Sequence, residues 1–125
     1  MTLTQLAKAL INASLDALGQ VIENINAKGS CTGAQTLDLS LGNVITATLT
    51  GDGTWTITNP AASGKASTVS IFLTNGGAFT ITWAVVPKWA GGIPPLLTVA
   101  GVDLIVLTTF DGGTTWYGSA SLDLK

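Results

Sequence analysis

Hydrophobic positions change their period near residue 30. Up to Lys28 they recur at helical spacing; from Gly33 onward they alternate with Thr and Ser in short runs broken by Gly, Pro, Asn and Asp. Ile11, Leu15, Leu18, Ile22 and Ile25 follow one another in steps of four and three, which is a heptad seam. Leu3, Leu6 and Leu10 form a second short seam, continued weakly by Ala13 and Ala17. The pattern predicts one amphipathic helix over residues 1–28. Thr2 and Gln5 have the spacing of a capping box, with Met1 and Leu6 placed as a hydrophobic staple, and Lys28-Gly29 supplies a stop.

On a helical wheel these apolar residues cover about half the circumference, and Gln5, Lys8, Asn12, Asp16, Gln20 and Glu23 fill the rest. A two-stranded coiled coil needs a narrower stripe. A band this wide suits a helix with two neighbours, as in a trimeric bundle, or a helix laid into a groove on another protein. The alternative is a helix folded back on its own chain.

Residues 29–34 read as a linker and residues 35–125 as a β domain. Leu37, Leu39 and Leu41 alternate with polar residues up to a turn at Gly42-Asn43. Ile45, Ala47 and Leu49 alternate with Thr as far as Gly51-Asp52-Gly53, taken as a turn, after which Trp55 and Ile57 form a short strand ending at Asn59-Pro60. Val69, Ile71 and Leu73 make the next strand, and Asn75-Gly76-Gly77 reads as a hairpin connection to Phe79, Ile81 and Trp83. Residues 84–95, with three prolines, read as a long structured loop, followed by a strand at Leu96–Val99. Asp103–Phe110 is apolar on both faces and is expected to be central or at a subunit interface. Asp111-Gly112-Gly113 turns it into a last strand. The expected fold is therefore mainly β: an antiparallel sandwich or small barrel of about seven or eight short strands behind an N-terminal amphipathic helix. Strands this short and this often turned argue against a β-helix, and no internal repeat is evident.

Composition narrows the function. Only 10% of residues are charged while 46% are hydrophobic, against about 25% charged in ordinary domains, which favours self-association. Five lysines and a net charge of −2 give no basic footprint for nucleic acid. No uninterrupted apolar run approaches the ~20 residues of a bilayer span, and no signal peptide is evident, so neither membrane insertion nor export by that route is expected. Histidine is absent, Asp52 and Asp111 sit in Gly turns, and no metal-ligand or phosphate-loop spacing occurs. No catalytic residue, metal ligand or cofactor is assigned. Cys31, the single cysteine, either pairs with its copy in a neighbouring chain or is a small half-buried thiol. Trp55 and Trp83 fall on core-facing positions. Lys88, Trp89, Trp116 and Tyr117 remain as contact candidates, for a subunit interface or, by stacking on a sugar ring, for a glycan. Adjacent Trp116 and Tyr117 must point to opposite faces of their strand.

The order of motifs along the chain adds a resemblance. Leu49-Thr50-Gly51-Asp52-Gly53-Thr54, Asn59-Pro60, Ser63-Gly64-Lys65, Thr82-Trp83, Lys88-Trp89-Ala90-Gly91-Gly92, Pro95, Leu97-Thr98 and Asp111–Gly118 follow in turn. Over residues 44–118 this resembles the β domain of tailed-bacteriophage virion proteins, found at tail-fibre tips and in head-decoration or head-fibre proteins. The resemblance implies a non-enzymatic virion structural protein, commonly homotrimeric, with an N-terminal attachment element. The stub before the β domain is short for a fibre shaft, which favours a module decorating the capsid surface, assembled in the host cytoplasm and held by a major capsid or tail protein. The alternative is a tail-fibre or receptor-binding module recognising host surface glycan. Assembly would fall to Leu3, Leu6, Leu10, Ile11, Leu15, Leu18, Ile22 and Ile25.

Overall fold

The computed structural model describes residues 1–18 and 22–125, with side-chain environments given for 1–10 and 22–125. The first element is α1 (Leu3–Leu18). Its start is the expected capping box: the Gln5 amide donates to Thr2 Oγ1 (3.1 Å) and the Thr2 amide donates to Gln5 Oε1 (2.8 Å). Two helix-terminal N–H groups are thereby satisfied reciprocally. The helix does not run to Lys28. Ile25 already opens β1 (Ile25–Asp38), because from there the backbone is committed to a ladder with β2 (Val44–Thr58). Pairing along a whole strand outweighs the helical period of two isoleucines. Residues 29–34, expected as a linker, lie inside β1 for the same reason.

β1 and β2 are parallel, yet only Leu39–Asn43 joins them. Parallel neighbours ordinarily need a crossover of a dozen or more residues. Here the long strand itself supplies it by curling. The β1 register shifts between Ala27 and Gly29 and again between Cys31 and Gly33, where Gly33 takes a φ of 69° that other residues resist. The far end of β1 thus returns to its beginning, and Asn26 Nδ2 donates to the Asp38 carbonyl (3.5 Å). The next pass stacks on the first: Ile25 lies beside Val44 and Val44 beside Ser70; Gly33 lies beside Gly53 and Gly53 beside Ile81. The third pass is split into β3 (Ser67–Thr74) and β4 (Ile81–Trp83), both parallel to β2. β5 (Val102–Thr109) then pairs antiparallel with β3, and β6 (Tyr117–Leu124) antiparallel with β5.

The result is mainly β, as expected, but the described residues form one open mixed sheet of six strands, not seven or eight, in the order β1-β2-β3-β5-β6, with β4 beside β2. Among the described residues neither an antiparallel sandwich nor a closed barrel forms, and, against the expectation from short strands, the first three passes wind coil on coil in the manner of a β-helix. Two turn signals caused the difference. Gly51-Asp52-Gly53 is a corner within β2, not a reversal, and Asn75–Ala78 carries the chain onward to β4 and does not fold it back as a hairpin. Leu96–Val99 is not a strand.

Inward-facing rows fill the coil. Ile45 sits between Asn26 and Ile71, and Ile71 beside Ile105; Ala47 sits between Gly29 and Leu73. With Cys31, Leu37, Leu49, Trp55, Val69, Leu107 and Trp116 they form one buried cluster. β5 lies inside the sheet between β3 and β6; it buries Asp103, Ile105, Leu107 and Thr109 on one side, while its other apolar face is only half-buried.

Candidate interaction surfaces

Three of the acids act within the fold. Asp103 is wholly buried, and burial alone would raise its pKa. Hydrogen bonds outweigh that: Thr98 Oγ1 donates to Oδ1 (2.6 Å), the Asp123 amide to Oδ1 (2.9 Å) and the Thr98 amide to Oδ2 (2.7 Å), holding the carboxyl below the ordinary range. The Asn59 side chain (2.8 Å), with the Ser40 hydroxyl and amide, lowers Asp38. The Thr115 amide (2.9 Å), helped by the Thr109 hydroxyl, lowers Asp111. Each of these three carboxylates is an acceptor for a turn or latch. Among the described residues no three His, Cys, Asp or Glu side chains come together to hold a metal ion. No described helix is long and apolar enough to cross a membrane.

Cys31 lies within β1, fully buried, and burial raises its thiol pKa against a smaller lowering by Lys28. A thiol so enclosed cannot reach its copy in another chain, so the inter-chain disulfide is set aside. It is a core residue, more buried than expected.

Of the proposed assembly residues, Leu3, Leu6, Leu10, Ile22 and Ile25 are exposed, Leu3 by 86% and Leu10 by 62%. Ile25 is on β1 and not on the helix. The side chains of Ile11, Leu15 and Leu18 lie outside the described residues. On the described part of α1, the leucine face is not folded back on its own β domain.

The four aromatic-site candidates divide between two places. Trp116 is buried and Tyr117 exposed, on opposite faces as adjacent strand residues must be. Tyr117 stacks on Phe110 (centroids 5.5 Å apart, 11° between planes), and Lys88 Nζ lies 5.7 Å from the Tyr117 centroid. Trp89 faces the other way. Its ring covers Gly118, where an added Cβ would come within 2.5 Å of it.

Trp89 instead lines a groove of about 510 Å³ together with Phe79, Trp83, Val86, Leu96 and Leu97. The groove exists because the 84–101 loop is pinned at intervals and bows out between the pins. The Ala84 amide donates to the Trp55 carbonyl (2.9 Å), the Lys88 amide to the Trp116 carbonyl (2.7 Å) and the Gly118 amide to the Lys88 carbonyl (2.9 Å). Further on, the Gly77 amide donates to the Thr98 carbonyl (2.9 Å), and Thr98 is held by Asp103. Between Lys88 and Thr98, Pro94-Pro95 stiffen the chain and leave Ile93 (75%) and Leu96 (89%) in solvent. Trp83, expected in the core, is only half-buried: it meets Trp55 edge to face (5.8 Å, 73°) and forms the groove floor. Sequence reasoning flagged the loop and Trp89 but missed Phe79, Val86 and Leu96 as a set, since nothing local signals that two separate segments face each other.

No family model, no curated protein and no solved structure matches this chain.

Proposed function

We propose that this chain is a non-enzymatic structural module of a phage virion surface, homotrimeric, decorating the capsid and attached through its N-terminal segment. The observation that carries the self-assembling part is the exposed leucine face of α1: Leu3, Leu6 and Leu10 stand in solvent at helical spacing on a chain with only 10% charged residues. An amphipathic face of this kind is stable only when something covers it. The virion setting rests on the order of turn motifs over residues 44–118. Three carboxylates support a structural role, because Asp38, Asp103 and Asp111 are each occupied by donors of a turn or latch. The glycan reading loses its composite site, since Trp89 and Tyr117 face opposite ways and Trp116 is buried.

The test is the solution mass of the full chain and of Leu6→Asp and Leu10→Asp variants. The expected result is a trimer that falls to monomer when a charge enters the leucine face. A wild-type monomer, or an unchanged trimer in both variants, refutes the assembly role of α1.

A further inference from the structure

Two exposed apolar features among the described residues have opposite shapes. One is convex, the α1 ridge of Leu3, Leu6 and Leu10; the other is concave, the groove between β4 and the 84–101 loop. We infer that they cover each other between copies: α1 of one chain lies in the Phe79–Trp83–Trp89–Leu96 groove of the next. This rests on the self-assembly reading above and says where the helix goes.

Three observations favour this occupant. The groove is lined without a single charged side chain, and apart from the indole N–H groups its only polar side chains are the hydroxyls of Thr80 and Thr82. A saccharide carries a hydroxyl on nearly every carbon and would leave most of them unpaired there; a leucine ridge leaves none. Leu3, Leu6 and Leu10 are spaced i, i+3 and i+7, which is how amphipathic helices present anchors to apolar grooves. The loop walls are already held by the Lys88, Gly77 and Asp103 hydrogen bonds, so the groove stands open before it is filled. A helix-to-groove contact joins different surfaces of two copies, so it propagates head to tail and closes when the rotation allows, for example into a ring of three.

Cysteine pairing tests this in the full chain, where buried Cys31 stays silent. Chains carrying Leu3→Cys, Leu6→Cys or Leu10→Cys are mixed with chains carrying Val86→Cys or Leu96→Cys and oxidised, all at exposed positions where folding is not at stake. The expected product is a disulfide joining a helix cysteine to a groove cysteine, absent from either chain alone. In parallel, Leu96→Lys should weaken self-association at least about tenfold. An oligomer that cross-links only helix to helix overturns this inference while leaving the assembly reading intact. So does a retained oligomer with no cross-link at any pair. A monomeric wild-type chain overturns both. A change in tryptophan fluorescence on adding a neutral oligosaccharide, with the mass unaltered by Leu96→Lys, gives the groove to a sugar and also overturns it.

Discussion

Asp103→Asn is the sharpest single perturbation of the fold, because it changes hydrogen bonding at a buried position without changing size. Oδ1 of Asp103 accepts from the Thr98 hydroxyl and the Asp123 amide, and Oδ2 accepts from the Thr98 amide at 2.7 Å. If the asparagine oxygen keeps the first two partners, its NH₂ faces the Thr98 N–H, donor against donor. Reversing the amide does not help: the Thr98 hydroxyl can turn to accept from the NH₂, but the Asp123 N–H then faces a donor. A hydrogen bond to a charged group contributes about 1.5–3 kcal/mol, so losing one and making two neutral costs about 3 kcal/mol. For a domain of this size that lowers Tm by roughly 10–20 °C. Thermal unfolding followed by circular dichroism at pH 7 reads it directly. Acid adds an independent signature. The folded pKa of Asp103 lies below its unfolded value of about 3.9, so its stabilisation is fully present above that pH and is lost as pH falls through the folded value. The variant should therefore decline less steeply in that acid window, with the remaining slope left to Asp38 and Asp111. A variant melting within about 3 °C of wild type at pH 7 would show that the latch carries no stability and that the reasoning is wrong.

Gly118→Ala puts a methyl group 2.5 Å from the Trp89 ring and 2.9 Å from Leu107, and overpacking of this kind costs about 1–3 kcal/mol; the Trp89 side of the groove should open, and a tryptophan emission spectrum identical to wild type would contradict the packing. Cys31, buried and with its thiol pKa raised, should resist a thiol reagent at pH 8 in the folded chain and react on unfolding, and the chain should run alike on reducing and non-reducing gels. Rapid labelling of the native thiol would place Cys31 outside the core.

Alternation along β2, β3 and β5 was fully legible, since a half-buried strand writes its buried side every second residue and Ile45, Val69 and Ile105 follow that rule. Direction was not. Gly-Asp-Gly at 51–53 carries the same local chemistry whether the chain reverses or turns a corner within one coil, and the choice is made by Cys31, Leu37 and Leu49 finding a common interior. The helix was misjudged at its end because Ile22 and Ile25 continue its heptad spacing, while the sheet claims Ile25 through backbone pairing that no side-chain pattern records. Of the surface, Tyr117 and the α1 leucines could be read from the sequence. The groove could not, because Phe79 and Leu96 belong to different segments, brought together by the Gly77–Thr98 and Asn75–Gly101 backbone contacts. Asp103 could have been found: a charged residue two positions before Ile105 on the buried side of the most apolar strand needs a partner.

The open sheet also constrains how copies can meet. An unclosed sheet presents edges, here two long ones at β1 and β6 and a three-residue one at β4, and an unguarded edge invites another strand. β4 is short, and the two long edges are blunted. β1 is kinked at two register shifts, with Gly29 and Gly33 in left-handed conformations, so no long flat row of N–H and C=O groups is offered. β6 is met at its start by Lys88, which pairs with Tyr117, and ends in a left-handed Asp123 that forms an ion pair with Lys125 (2.8 Å). Strand-to-strand growth is thereby disfavoured at both ends. What remains for association is side-chain surface, and on the described residues it includes the α1 leucine ridge and the groove beside Trp89. A fold that closes its backbone edges and leaves these two surfaces uncovered directs assembly through shape and apolar contact. That is why a single lysine at Leu96 or a single aspartate at Leu6 should do more to the oligomer than any change along β1 or β6.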